Sequence, residues 1–133
     1  TSYQGNLVAI NPYRAQVVWS QDVSSYHSLA SGFGNVYVSE ENDAVQAFDR
    51  ATSASVWRQS KLENREISAP VSLGTAVAVA DFEGYIHFMS QTDGHFVARY
   101  KLDSSGVYGD MISRDDVLYV LSNDGKLAAL SLQ

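Results

Sequence analysis

The chain has 133 residues, of which 45% are apolar and 18% are charged, and these values are typical of a single globular domain. It contains no Cys, which excludes disulfide bonds, thiol nucleophiles and thiolate zinc sites, and no apolar run approaches the ~18 residues of a membrane-spanning helix. Nine basic and fifteen acidic residues give a net charge of −6 without a basic block, so nucleic acid is not an expected partner.

A repeat with an offset of 41 residues is the most informative feature of the sequence. Val45, Ile86 and Leu127 mark one of its columns. Other matched positions are Ala30, Val71 and Ile112, each followed by a serine, and the segments 36–38, 77–79 and 118–120. A partial copy precedes these three, in which Trp19 lies 38 residues before Trp57.

Short runs of alternating apolar residues, separated by turn residues, fill each period, and this pattern favours β-strands over helices. In chain order it predicts two strands at 6–10 and 16–22, and then a four-stranded unit across 24–62. The next unit has strands at 67–73, 75–80, 85–90 and 96–102, and the last predicted strand covers 126–132. The strand at 76–80 is apolar on both faces, as expected of a strand between two neighbouring sheets.

Gly84, Gly94 and Gly125 lie in the turn sequences of these units, where a positive φ is needed, and we interpret them as structural residues. Four strands in about 41 residues, repeated in tandem, predict the blades of an all-β propeller. The predicted units are 1–23 (part of a blade), 24–62, 63–103 and 104–133 (a blade without its outer strand). A β-sandwich or barrel is the alternative, although neither needs an exact repeat.

The stretches 9–19 and 47–57 both resemble the A-x-D-x-x-T-G-x-x-x-W docking motif of PQQ-like propeller repeats. The match is degenerate, since Arg14 and Ala15 replace Thr-Gly in the first copy and Ser53 replaces Gly in the second. A third copy has Ala98 at the Trp position. An indole on an outer strand can dock between blades, so Trp19 and Trp57 are predicted to be structural.

The segments 83–88, 93–98 and 103–106 resemble the C-terminal blades of the BamB family, the periplasmic lipoprotein subunits of the machinery that assembles outer-membrane β-barrels. The resemblance covers essentially the whole chain. It implies an eight-bladed propeller that binds no PQQ, performs no catalysis and docks on the POTRA domains of BamA at the periplasmic side of the outer membrane. It also implies a lipid anchor that this chain lacks. The resemblance does not identify any residue of this chain that contacts a partner.

Residues that could carry chemistry have simpler interpretations as structural groups. His27, His87 and His95 show no spacing that would place two imidazoles on one metal ion. Asp81 and Glu83 could form a catalytic carboxylate pair, but their hairpin position favours turn chemistry. We therefore predict no catalytic, cofactor-binding or metal-binding residue.

Several exposed groups remain as candidates for weaker roles. Tyr13, Tyr26 and Tyr108 lie in or near connections and could belong to a recognition surface. The acidic pairs Glu40–Glu41 and Asp115–Asp116 are interpreted as solvated loop charges.

Two other functional classes share the repeat: a fragment of a PQQ-dependent dehydrogenase and an extracytoplasmic sensor domain. At 41 residues per blade the chain supplies about three and a quarter units, whereas closed propellers have roughly four to eight blades. We therefore expect an open arc of about three blades, whose uncovered flanks favour self-association.

Overall fold

The computed structural model describes residues 5–25, 27–107 and 111–132. These residues form thirteen strands and include no helix long and apolar enough to cross a membrane. The strands are β1 Gly5–Asn11, β2 Gln16–Val23, β3 Ala30–Gly32, β4 Asn35–Ser39, β5 Val45–Asp49, β6 Ser55–Gln59, β7 Val71–Leu73, β8 Ala76–Ala80, β9 Tyr85–Ser90, β10 Phe96–Lys101, β11 Ile112–Arg114, β12 Val117–Leu121 and β13 Leu127–Leu130.

The strands form four separate antiparallel sheets in chain order. β1 and β2 form the first sheet, β3 to β6 the second, β7 to β10 the third and β11 to β13 the fourth. Within each sheet every strand pairs with its neighbour in sequence. Each sheet is therefore a blade, and we number the blades 1 to 4.

The core consists of three apolar clusters, each between two consecutive blades. Between blades 1 and 2, Leu7 packs with Val36, Val38 and Phe48. β8 shows how one strand serves two clusters: Val77 and Val79 face blade 2, whereas Ala78 and Ala80 face blade 4. All five residues of β8 are buried, which agrees with the prediction that this strand is apolar on both faces.

Two predicted strands exceed the observed strands by more than one residue: 126–132 pairs only at Leu127–Leu130, as β13, and 67–73 pairs only at Val71–Leu73, as β7. Pro70 has no amide hydrogen to donate. The Ser68 side chain accepts from the Ala80 amide at 3.0 Å, and the Ile67 amide donates to Asp43 Oδ1 at 3.0 Å. Side-chain oxygens thus bond backbone groups where regular strand pairing has stopped.

The two outermost blades expose apolar residues on their uncovered faces. We call the exposed set on β1 and β2 the first flank, and the set on β11 to β13 the last flank. The first flank consists of Val8, Ile10, Val17 and Val18, and the last flank of Ile112, Tyr119, Leu121 and Leu127. Leu127, on the edge strand β13, is 70% exposed.

We expect the isolated chain to self-associate through these flanks, because burying them removes apolar surface from water. Sedimentation velocity should show mass rising with protein concentration. Leu127→Lys should shift the equilibrium towards monomer. Phe33→Lys, which changes an exposed apolar side chain outside both flanks, is the matched control. A chain that stays monomeric at every concentration and unfolds at a high temperature would contradict this expectation.

Candidate functional site

Tryptophan side chains on outer strands hydrogen-bond the backbone of the following blade at repeat-related positions. Trp19 Nε1 donates to the Arg50 carbonyl at 2.8 Å, and Trp57 Nε1 donates to the Gln91 carbonyl at 3.0 Å. Arg50 and Gln91 are 41 residues apart. Trp57 is 8% exposed, whereas Trp19 is only partly buried.

A glutamine two residues after each tryptophan makes a second contact of the same kind. Gln21 Nε2 donates to the Ser53 carbonyl and Gln59 Nε2 donates to the Gly94 carbonyl, both at 2.9 Å. Ser53 and Gly94 are again repeat-related. The outer strands β2 and β6 are therefore each fixed to the turn of the next blade by two hydrogen bonds.

Gln91 is the hub of the interface between blades 2 and 3, and sequence reasoning did not identify it. It is 1% exposed. Its Oε1 accepts from the Tyr37 hydroxyl at 2.9 Å, while its Nε2 donates to the Ala76 carbonyl at 2.7 Å. Burial raises the pKa of Tyr37, so this hydroxyl keeps its proton for the hydrogen bond. The Gln91 carbonyl also accepts from Asn35 Nδ2 at 3.1 Å.

The three predicted structural glycines all have positive φ but differ in their surroundings. A Cβ at Gly94 (φ 78°) would lie 2.4 Å from the Trp57 ring. A Cβ at Gly84 (φ 87°) would lie 1.6 Å from the Asp103 carbonyl oxygen. At Gly125 (φ 91°) a Cβ would meet nothing within 4 Å.

This difference predicts unequal effects of alanine substitution. Gly125→Ala should cost about 1–2 kcal/mol, which is the conformational strain of positive φ. Gly94→Ala should cost roughly 1–3 kcal/mol more, because the added methyl collides with a packed indole. Urea denaturation of both variants measures the difference. Equal losses of unfolding free energy would show that Trp57 is not held against Gly94.

The interface between blades 3 and 4 lacks this docking contact, since Ala98 stands where the tryptophan would be. Lys126 Nζ instead donates to the Leu102 carbonyl at 3.0 Å. Ser113 Oγ donates to the Ser72 carbonyl, 41 residues earlier, at 2.7 Å. Polar side chains from blade 4 thus replace the indole as anchors.

Asp81 is the centre of a buried polar cluster in blade 3. Its side chain is fully buried, and its Oδ2 accepts from both Nε and a terminal nitrogen of Arg65 at 2.8 Å. His87 Nε2 lies 2.7 Å from the same oxygen. Asp81 Oδ1 accepts from the amides of Glu83 and Tyr85 at 2.9 and 3.1 Å. The expected turn chemistry is therefore present, but the side chain also binds Arg65 and His87.

These contacts determine the protonation of the cluster. Burial by itself would raise the pKa of Asp81, but hydrogen bonds from His87, Arg65 and the Tyr85 amide, with the Arg65 charge, lower it to about 2. The ionised carboxylate can only accept. His87 Nε2 consequently carries a proton and donates it.

The low pKa of Asp81 predicts how the unfolding free energy depends on pH. Because the folded pKa of Asp81 lies below the ordinary 3.8, ionisation stabilises the fold above pH 3.8, and this stabilisation is lost as the pH falls from about 4 to 2. Its size is about 2 kcal/mol. Urea denaturation across this range should show the loss in the parent chain. Asp81→Asn should remove this part of the slope, whereas exposed Asp124→Asn should retain it. An unchanged slope in Asp81→Asn would contradict the assignment.

A pocket of about 520 Å³ lies beside this cluster, at the outer side of the interface between blades 2 and 3. The segment after β6, the strand β9 and the outer strand β10 form its walls. Its lining residues are Lys61, Leu62, Arg65, His87, Phe96, Val97, Ala98 and Arg99. The pocket therefore combines cationic side chains with an apolar wall, and no single feature of the sequence indicated it.

The other predicted residues lie apart from this pocket. His95 pairs with Asp93 at an exposed turn, and Tyr13 is 96% exposed in the β1–β2 connection. Within the described ranges no group of three His, Asp or Glu side chains could hold a metal ion. Tyr26 and Tyr108 lie outside the described residues.

The interpretation of Glu40 as a solvated charge is wrong. Its carboxylate is 16% exposed and lies 3.0 Å from a terminal nitrogen of Arg58. The hairpin between β4 and β5 brings this residue back beside the outer strand β6.

Comparisons with known proteins agree with this geometry. Residues 1–59 match the family described as outer membrane protein assembly factor BamB. A curated BamB from Pseudomonas aeruginosa is 39% identical over 132 residues, or 99% of this chain and 35% of that protein. The crystal structure of BamB from Moraxella catarrhalis has a TM-score of 0.90, with 24% identity, over 97% of this chain and 39% of that one.

A quinohemoprotein alcohol dehydrogenase from Comamonas testosteroni is also similar, with a TM-score of 0.62 and 21% identity over 74% of this chain and 18% of that one. This likeness concerns the fold alone. The chain spans about a third of the length of the curated relative from Pseudomonas aeruginosa.

The four sheets and the structural match confirm the predicted fold, and the chain is a run of blades from a PQQ-like β-propeller. The sequence matches are more specific than the fold, since the family that matches residues 1–59 and the curated relative from Pseudomonas aeruginosa are both described as outer membrane protein assembly factor BamB.

Proposed function

We propose that the protein containing this chain is a non-enzymatic scaffold subunit of the BAM complex, which assembles proteins of the outer membrane. The observation that carries the proposal is 39% identity across 99% of the chain to a protein described as an assembly factor. The family resemblance extends it to binding of the BamA POTRA domains, and to a lipid-anchored position at the periplasmic side of the outer membrane.

The structure supports a positional mechanism for this role. Blades locked by paired hydrogen bonds form a rigid support, and the connecting loops can then present side chains to a partner without first being ordered. We assign a structural role to Trp19, Trp57, Gly84, Gly94 and Gly125. The units 1–23, 24–62, 63–103 and 104–133 are proposed as the successive blades, and each described sheet lies within one of them.

Co-purification of the full-length native protein from outer-membrane extracts tests the proposal. BamA should be recovered with it, and repeated failure to recover BamA would overturn the partner assignment. Trp57→Ala should lower the unfolding free energy by roughly 3–5 kcal/mol, because it removes a buried indole. The amount of BamA recovered with this variant should fall only in proportion to its folded fraction. If a fully folded variant recovers less BamA, Trp57 contacts BamA directly.

A further inference from the structure

Three of the nine basic residues of this acidic chain, Lys61, Arg65 and Arg99, line the pocket between blades 2 and 3, and a fourth, Lys101, lies beside Arg99 against Tyr85. Three of these four residues surround the ring of Tyr85. The guanidinium carbon of Arg99 lies 4.7 Å from the ring centroid, Lys101 Nζ lies at 5.2 Å and the guanidinium carbon of Arg65 lies at 5.9 Å. Lys61 lines the same pocket.

The repeat shows why part of this positive charge is unbalanced. In blade 2, Arg58 forms an ion pair with Glu40, and the residues 41 positions later are Arg99 and Asp81. In blade 3 the carboxylate is turned inwards and binds Arg65 and His87 instead. Arg99 has consequently lost the partner that its counterpart keeps.

Other acids near the pocket do not replace that partner. A carboxylate oxygen of Glu83 lies 3.7 Å from a terminal nitrogen of Arg65, so Glu83 offsets the positive charge of Arg65 and not that of Arg99. Within the described ranges, neither Lys61, Arg99 nor Lys101 takes part in an ion pair. Close like charges repel one another, so an anion arriving between them is favoured.

The pocket also has apolar lining residues: Leu62, in the segment after β6, is buried, and Phe96, on β10 with Arg99, is half-buried. Arg99 and Lys101 stand two residues apart on β10, the outermost strand of its sheet. Alternate residues of a strand lie about 7 Å apart on one side, which is also the spacing of alternate side chains in an extended peptide. Along β10 the pocket therefore offers an apolar contact at Phe96 and a cation at Arg99, and Lys101 adds a second cation just beyond the lining residues, at the spacing of alternate peptide side chains.

We propose that this pocket binds a short extended acidic peptide segment of a protein partner. Two carboxylates in alternate positions pair with Arg99 and Lys101, with Lys61 at the rim, and an apolar side chain of the same segment packs against Phe96 and Leu62. The proposal does not depend on the assembly role proposed above, since it rests on the charges and walls of the pocket alone.

Fluorescence anisotropy with a labelled, end-blocked peptide Phe-Gly-Glu-Gly-Glu tests the proposal directly. The purified protein should bind it, and added salt should weaken the binding. The neutral peptide Phe-Gly-Gln-Gly-Gln should bind much more weakly. Arg99→Gln with Lys101→Gln should reduce affinity for the acidic peptide by about tenfold or more, as expected for the loss of two charge-assisted contacts.

The matched control is Arg14→Gln with Arg114→Gln, which changes the net charge by the same amount at exposed positions outside the pocket. It should leave the affinity unchanged, and thermal unfolding of both double variants should show that they remain folded. Four results would each overturn the proposal: no binding of the acidic peptide, equal losses in both double variants, competition by inorganic phosphate as effective as by unlabelled peptide, or binding only to vesicles containing phosphatidylglycerol.

Discussion

The pairing of an outer-strand tryptophan and glutamine with two backbone carbonyls of the next blade is the interaction on which the arrangement of blades 1 to 3 depends. No strand of one blade pairs with a strand of the next. Apolar packing, which is not directional, would therefore leave the relative position of two neighbouring blades poorly fixed. Directional hydrogen bonds from Trp57 and Gln59 fix the position of blade 3 relative to blade 2. Because the acceptors are backbone carbonyls, the repeat can be maintained while side chains at the acceptor positions vary.

The same constraint accounts for what the sequence could and could not predict. The period and the apolar alternation predicted the blades and the burial of both faces of β8. Both properties depend on the local sequence of each strand and on the two neighbouring sheets between which it packs. Gln91 could not be predicted as a hub, since its counterpart in the preceding blade is Arg50. The contacts of Asp81 with Arg65 and His87 were missed for a related reason. Arg65 comes from the loop that enters the blade, and its counterparts are Ser24 and Gly106.

Asp81 has two structural roles, one within its own hairpin and one in binding the loop before β7. Asp81 bonds the amides of its own hairpin, as its position in the repeat suggested, and it also receives two hydrogen bonds from Arg65. Folding the hairpin therefore places a buried negative charge where the loop before β7 must supply a positive one. The loop and the hairpin are held together by this pair, and the loop forms one wall of the pocket.

Comparison of blades 2 and 3 shows how a repeated fold can acquire a distinct surface without a new element. Both blades have an acid at the start of the hairpin and an arginine on the outer strand. In blade 2 these two residues bind each other, and their charges cancel at the surface. In blade 3, Arg65 and His87 bind the acid inside the blade, so the outer-strand Arg99 stays beside the pocket with its charge uncompensated among the described residues. The backbone scaffold is common to both blades. The acid binds the outer-strand arginine in blade 2 and binds Arg65 in blade 3, and this one difference leaves blade 2 with a neutral surface and blade 3 with a cationic one.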